Sequence, residues 1–111
     1  MDRTKEHNQL VDDLLFAFGS MPDVRVWPRV VGVGRAINNY DHVISFGIPG
    51  ESDIDGIVAP RGRKISIEVK TGNAKLSAEQ KKFKNMILKF GGIYIEARSV
   101  EDALDQFKKF L

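Results

Sequence analysis

The chain contains no cysteine. Disulfide frameworks and thiolate metal sites are therefore excluded. No apolar run approaches the roughly 20 residues that a membrane span needs. The opening MDRTKEHNQL is too charged for the apolar core of a signal segment. These absences fit a soluble protein of a reducing compartment, with the cytoplasm as the expected location. Internal repeats and low-complexity segments are also missing, and 111 residues suit one domain with a modest core. A second copy would complete what so small a core leaves unfinished. Gly32-Val33-Gly34 lacks the third glycine of a dinucleotide loop, so no organic cofactor is expected. The two histidines, His7 and His42, have no metal-like spacing and are assigned no role.

What is present is charge in blocks. Met1 to Pro60 carries five Lys/Arg against nine Asp/Glu, a balance of −4. Arg61 to Lys89 carries nine against two, a balance of +7, and the remainder is −1. A basic middle beside an acidic first half suggests a polyanionic partner, with the acids serving a separate purpose.

Periodicity supplies the elements. Leu10, Val11, Leu14, Leu15 and Phe18 predict a helix over Thr4–Phe18, stopped by Gly19. Val24, Val26 and Trp27 predict a short strand cut by Pro28. Gly32 to Tyr40 reads as loop, His42–Phe46 as a strand, and Gly47 to Gly50 as a turn. Asp53–Val58 and Lys64–Val69 form a hairpin around Ala59-Pro60-Arg61-Gly62. Ser77 and Gln80 have capping-box spacing, and the helix they open buries Phe83, Met86, Ile87 and Phe90 before Gly91-Gly92. Ile93–Ala97 is a strand. Ser99 with Asp102 caps a last helix carrying Val100, Ala103, Leu104, Phe107 and Leu111. The expected fold is α/β, a mixed central sheet flanked by helices in the rough order α-β-β-β-α-β-α.

The hairpin holds the chemistry. Alternation puts Asp53 and Asp55 on one strand face, and Glu68 with Lys70 on one face of the next. Ile65, Ile67 and Val69 take the opposite face. Turning the hairpin brings Asp53 toward Glu68. Two carboxylates held together repel, so one takes a proton or a cation sits between them. Mg²⁺ binds through a few carboxylates and keeps several waters. Lys70 beside such a pair could orient an attacking water or stabilise charge on a phosphate. Metal-assisted phosphodiester hydrolysis needs this combination. Glu-x-Lys alone reads as a surface ion pair; the upstream aspartates and the following helix shift that balance.

Asp followed by Glu-x-Lys on the next strand is the signature of the PD-(D/E)XK nuclease superfamily. The wider stretch, Phe46-Gly47-Ile48-Pro49-Gly50-Glu51-Ser52-Asp53-Ile54, then Gly62-Arg63, Ile67-Glu68-Val69-Lys70, Leu76-Ser77, Glu79-Gln80, Phe83, Gly91-Gly92-Ile93 and Ala97 to Asp102, resembles the VRR-NUC domain (virus-type replication-repair nuclease) in its stand-alone, phage-like form. The resemblance covers the last two-thirds of the chain. It implies a restriction-endonuclease-like core and a bacterial or phage setting. It makes Asp53 and Glu68 ligands of Mg²⁺ or Mn²⁺, with the Val69 backbone carbonyl beside them, and Lys70 the catalytic lysine. Gln80 matches a glutamine on the helix over the site. The family often has a glutamate on the first helix; Glu6 matches it, with Asp13 a weaker rival, and a solvent-facing acid in a first turn is the competing reading. Asp55 stands where relatives often carry an uncharged residue, so its role stays open. The resemblance further implies a homodimer that cuts branched DNA such as Holliday junctions, a symmetric substrate for two sites. Flap, nicked or single-stranded DNA, or binding without catalysis, are the alternatives.

Arg29, Arg35, Arg63, Lys75, Lys81 and Lys84 are the expected DNA contacts, weighed against ordinary surface charge. Trp27 is expected in the core or at a dimer contact.

Overall fold

The computed structural model describes residues 3–29, 32–36, 39–46 and 48–111, with side chains over 4–29 and 48–111. Three helices and a four-stranded mixed sheet make up an α/β fold. Helix α1 (Arg3–Gly19) leads to β1 (Val24–Pro28), β2 (Gly32–Ala36), β3 (Asn39–Phe46), β4 (Ile54–Val58) and β5 (Arg63–Val69). Helix α2 (Ala78–Lys89), β6 (Ile93–Ala97) and α3 (Val100–Lys108) complete the order.

The main sheet runs β1-β4-β5-β6. The first two pairings are antiparallel and β5–β6 is parallel, with α2 as its crossover. A parallel pair needs such a crossover, which two adjacent strands joined by a tight turn do not. The turn after β4 contains Gly62 at φ +71°, a left-handed conformation that favours glycine. Pro28 ends the edge strand β1, the place where a missing N–H is tolerated.

One expectation fails here. Gly32 to Tyr40 is not a plain loop: Gly32–Ala36 pairs antiparallel with Asn39–Phe46 in a separate two-stranded sheet. Its glycines hide the usual strand pattern, and only the partner strand defines it. The strand order is therefore longer than the sequence suggests.

Alternation along β5 and β6 divides the sheet into two faces. Ile54, Ile65, Ile67, Val69, Ile93 and Ile95 pack against Leu14 and Phe18 of α1 and Ala103 and Phe107 of α3. The Phe18 and Phe107 rings meet edge to face at 5.4 Å. Each buried isoleucine of this kind contributes roughly 1.5–3 kcal/mol. The other face carries Tyr94, packed with Phe83 and Ile87 of α2. Ser66 sits beside Tyr94 in the β5–β6 register, and Asp55 beside Ser66 in the β4–β5 register. Met86, Phe90 and Leu111 were expected inside but are exposed, Phe90 at 81%. The apolar stripe of α2 packs mainly on β6, so its outer flank and its cap residue Phe90 find no cover. Among the described residues, no helix is long and apolar enough to cross a membrane.

Candidate active site

The β4–β5 register pairs Ile54 with Ile67. Asp53 immediately precedes this pair and Glu68 immediately follows it, so the two carboxylates meet where the strands open. Asp53 Oδ2 accepts the Val69 backbone N–H at 2.8 Å, which locks the aspartate across the strand end. Glu68 is 4% exposed on the face covered by α2. A cavity of about 220 Å³ opens here, lined by His7, Arg29, Asp53, Glu68, Val69, Lys70, Thr71, Ala74 and Gln80.

Helix α2 is positioned by its own first turn. The Ser77 hydroxyl accepts the Gln80 N–H at 3.1 Å, and the Gln80 side-chain oxygen accepts the Ser77 N–H at 2.9 Å. That second bond fixes the amide, leaving its NH₂ to donate to Glu68 Oε2 at 3.0 Å. Gln80 therefore both caps the helix and holds the acid. Gly50, at φ +79°, lies so close to the Glu79–Gln80 backbone that any Cβ there would overlap it. The turn before Asp53 and the start of α2 are thus in direct contact.

The electrostatics follow from the burial. The Glu68 carboxyl is pushed up from 4.5 to about 8, first by burial and next by the charge of Asp53. Lys70 and Arg29 pull in the opposite direction. Glu68 Oε1 has no hydrogen-bond partner, and the buried hydroxyls of Ser52, Ser66 and Tyr94 also lack one. Burial and the Glu68 charge push the Tyr94 phenol up to about 12. A buried carboxylate oxygen without a donor, beside a second carboxylate, is a place where a cation lowers the energy. Glu68, Asp53 and the Val69 main chain are the groups able to hold one.

Comparisons with family profiles, curated proteins and solved structures return no match. The reading of the site therefore rests on its own residues.

Lys70 follows Glu68 by two residues and lines the same cavity, its backbone N–H bonded to Ala97 O at 3.0 Å. Arg29 lines it too: its guanidinium donates to Glu51 O at 2.6 Å, and its N–H to Asp53 O at 2.8 Å. Asp55 does not line the cavity. It is 8% exposed and pairs with Lys64 at 2.5 Å. Strand length separates the two aspartates: Asp55 lies inside the ladder and Asp53 just before it. Glu6 lines a neighbouring cavity of about 640 Å³ with Leu10, Asp13, Thr71 and Arg98.

Helix α1 brings His7 to the site instead, its Nε2 standing 3.3 Å from Asp53 Oδ2. The sequence reading assigned His7 nothing. Its signal was helical spacing, since His7, Val11, Leu14 and Phe18 form one stripe along α1.

The remaining cations divide. Lys75, Lys81 and Lys84 line one shallow cavity with Leu76, Asn85 and Glu96, beside α2. Arg63 is committed elsewhere, donating to Gly91 O at 2.7 Å and Phe110 O at 2.9 Å, with its guanidinium over the Phe110 ring. It ties the ends of α2 and α3 at the start of β5, away from Glu68. Arg35 stands on β2, and its side chain lies outside the described residues, as does that of His42. Among the described residues, no group of three or more His, Cys, Asp or Glu side chains is placed to hold a metal ion. Trp27 is half exposed on β1, diagonal to the equally exposed Ile57.

Proposed function

We propose that the protein is a metal-dependent endonuclease that hydrolyses phosphodiester bonds in DNA, with a PD-(D/E)XK core of the VRR-NUC type. The observation that carries this reading is the pairing of buried Glu68 with Asp53 in a cavity that also contains Lys70 and Arg29. Two acids that disfavour each other's charge, with two cations beside them, suit a dication and a phosphate together.

A Mg²⁺ or Mn²⁺ ion needs only one or two carboxylates, with waters completing its sphere. Asp53 and Glu68 would hold it, with the Val69 carbonyl adjacent. When bound, the ion supplies Lewis-acid polarisation of a phosphoryl oxygen and of water. Gln80 holds the Glu68 carboxyl in place through the bond it donates to Oε2. Lys70 offers an ammonium that orients the attacking water and stabilises charge on the phosphoryl oxygens. Arg29 on the cavity wall attracts the phosphate itself. Water oxygen forms the new bond to phosphorus and one P–O ester bond breaks. The departing alkoxide takes up a proton, and the products are an alcohol and a phosphate monoester.

Lys75, Lys81 and Lys84 extend positive charge beside the site for flanking backbone contacts. A homodimer acting on branched DNA is the narrower proposal. Its support is the edge strand β1 with exposed Trp27 beside Ile57, a surface a second copy would cover.

The test is cleavage of four-way, flap, nicked, duplex and single-stranded DNA with Mg²⁺, Mn²⁺ or chelator. Metal-dependent cleavage that disappears in Glu68→Gln and Lys70→Ala is the expected result. DNA binding without cleavage of any substrate would replace the catalytic reading by a binding module. Sizing the protein in solution tests the dimer, and a monomer at working concentration would refute it.

A further inference from the structure

We infer that Arg98 is a positioning residue for the site: its guanidinium fixes the loop that begins at Lys70 and forms the cavity wall beyond it, and so sets the rate of the chemical step. The effect on rate rests on the nuclease reading above; the hold on the loop stands without it.

Residues 70–77 join β5 to α2 without regular structure. Their placement matters, because Lys70, Thr71 and Ala74 line the cavity together with Glu68 and Gln80. The Lys70 N–H reaches Ala97 O at 3.0 Å, and the Ala74 N–H closes a turn on Thr71 O at 3.2 Å. Gly72, inside that turn, has φ +57°. Each loop residue left unpinned retains backbone freedom worth roughly 1–2 kcal/mol, so a precise wall needs bonds from outside the loop.

Arg98 supplies them from the end of β6. Its guanidinium donates to Gly72 O at 3.2 Å and to Ala74 O at 2.7 Å. Glu96 Oε1 accepts from the same group at 3.0 Å. The main chain of Arg98 is anchored in turn, its N–H donating to Asp102 Oδ2 at 3.1 Å in the first turn of α3. The Glu96 pair adds little by itself, since both side chains are part exposed. The carbonyl bonds are the substance: a planar fork engages two acceptors at once, whereas a lysine ammonium is one point on a flexible stem. Arg98 does not line the catalytic cavity itself. It lines the neighbouring one, and Thr71 is the wall the two cavities share. Its influence on the reaction therefore passes through the loop. A displacement of about 1 Å in a catalytic group costs up to about a hundredfold in rate.

The test compares the full-length wild type with Arg98→Lys, which keeps the charge, and Arg98→Ala. Without DNA or metal, exchange of the Lys70 and Ala74 amides should quicken severalfold or more in both variants, while amides at the centre of β5 stay unchanged. On the best-cut DNA with Mn²⁺, kcat of Arg98→Lys should fall about tenfold or more, with KM and DNA affinity barely altered. Guanidinium ion, but not ammonium, should restore part of the kcat of Arg98→Ala. Unchanged amide exchange overturns the inference, and so does faster exchange with unchanged kcat. A variant that loses DNA affinity and keeps kcat makes Arg98 a phosphate contact and also overturns it. A wild type that cuts no DNA refutes the nuclease reading and with it the effect on rate, while the exchange result still decides whether Arg98 holds the loop. Where Arg98→Ala fails to fold, exchange and kcat of Arg98→Lys decide alone.

Discussion

Replacing Glu68 by glutamine should stabilise the metal-free protein, and by an amount that depends on pH. The folded carboxyl titrates at about 8 against an ordinary value of 4.5. Between those values the folded state keeps a proton that the unfolded chain has lost. Folding is then linked to proton uptake, so stability falls as pH rises through that window. Below pH 4.5 both states are protonated and the carboxyl imposes no penalty. Above pH 8 both are ionised and the penalty is complete. At roughly 1.4 kcal/mol per pH unit, the wild type loses about 3 kcal/mol at pH 7 and about 5 kcal/mol at pH 9. Solvent screens little of this, because Glu68 is 4% exposed. Glutamine keeps an oxygen for the Gln80 NH₂ and removes the ionisation. Thermal melts in chelator from pH 4 to 9.5 should show the two proteins together at the acid end. At pH 7 the variant should melt roughly 10 °C higher. Adding Mn²⁺ to the wild type should narrow that gap, because a cation between Asp53 and Glu68 offsets the repulsion. Melting curves that stay parallel from pH 5 to pH 9 would refute the argument, since a Glu68 of ordinary acidity produces no such divergence.

Three other perturbations separate structure from chemistry. Lys64→Ala leaves Asp55 buried without its partner and should cost about 1–3 kcal/mol, discounted because Lys64 is 40% exposed, while metal-dependent cleavage persists; thermal melts and the DNA panel read the two effects. Gly50→Ala forces a Cβ into the Glu79–Gln80 backbone at a positive φ, so it should lower the melting temperature and reduce cleavage together, as α2 and Gln80 are displaced from Glu68. Ile67→Ala, in a fully buried position under α1 and α3, should destabilise by about 2–5 kcal/mol in denaturant titration.

Helices α1, α2 and α3 were legible because each carries its apolar stripe, with a stop glycine at the end of α1 and start signals before α2 and α3. The Ser77–Gln80 and Ser99–Asp102 caps form as their spacing requires. The β4–β5 hairpin was legible for the same reason, with its turn residues between two alternating runs. Strand β2 was not, because its pairing with β3 leaves no local pattern in Gly32–Ala36. Met86 and Phe90 follow the stripe of α2 yet remain exposed, because a stripe says nothing of how wide the opposing surface is.

Local sequence by itself determined that Glu68 lies on a strand, with Asp53 and Lys70 at the ends of that strand and its neighbour, and that the apolar neighbours of Glu68 turn away. Alternation on a strand is a property of the backbone and needs no partner. The tertiary structure alone decided which aspartate serves the cavity, because strand ends are set by pairing: Asp55 is inside the ladder with Lys64, and Asp53 is at its open end. Packing alone also brought His7 to Asp53, 46 residues away along the chain, while placing Glu6 in the next cavity. Neighbouring residues on a helix point about 100° apart, so only docking of α1 on the sheet could choose between them.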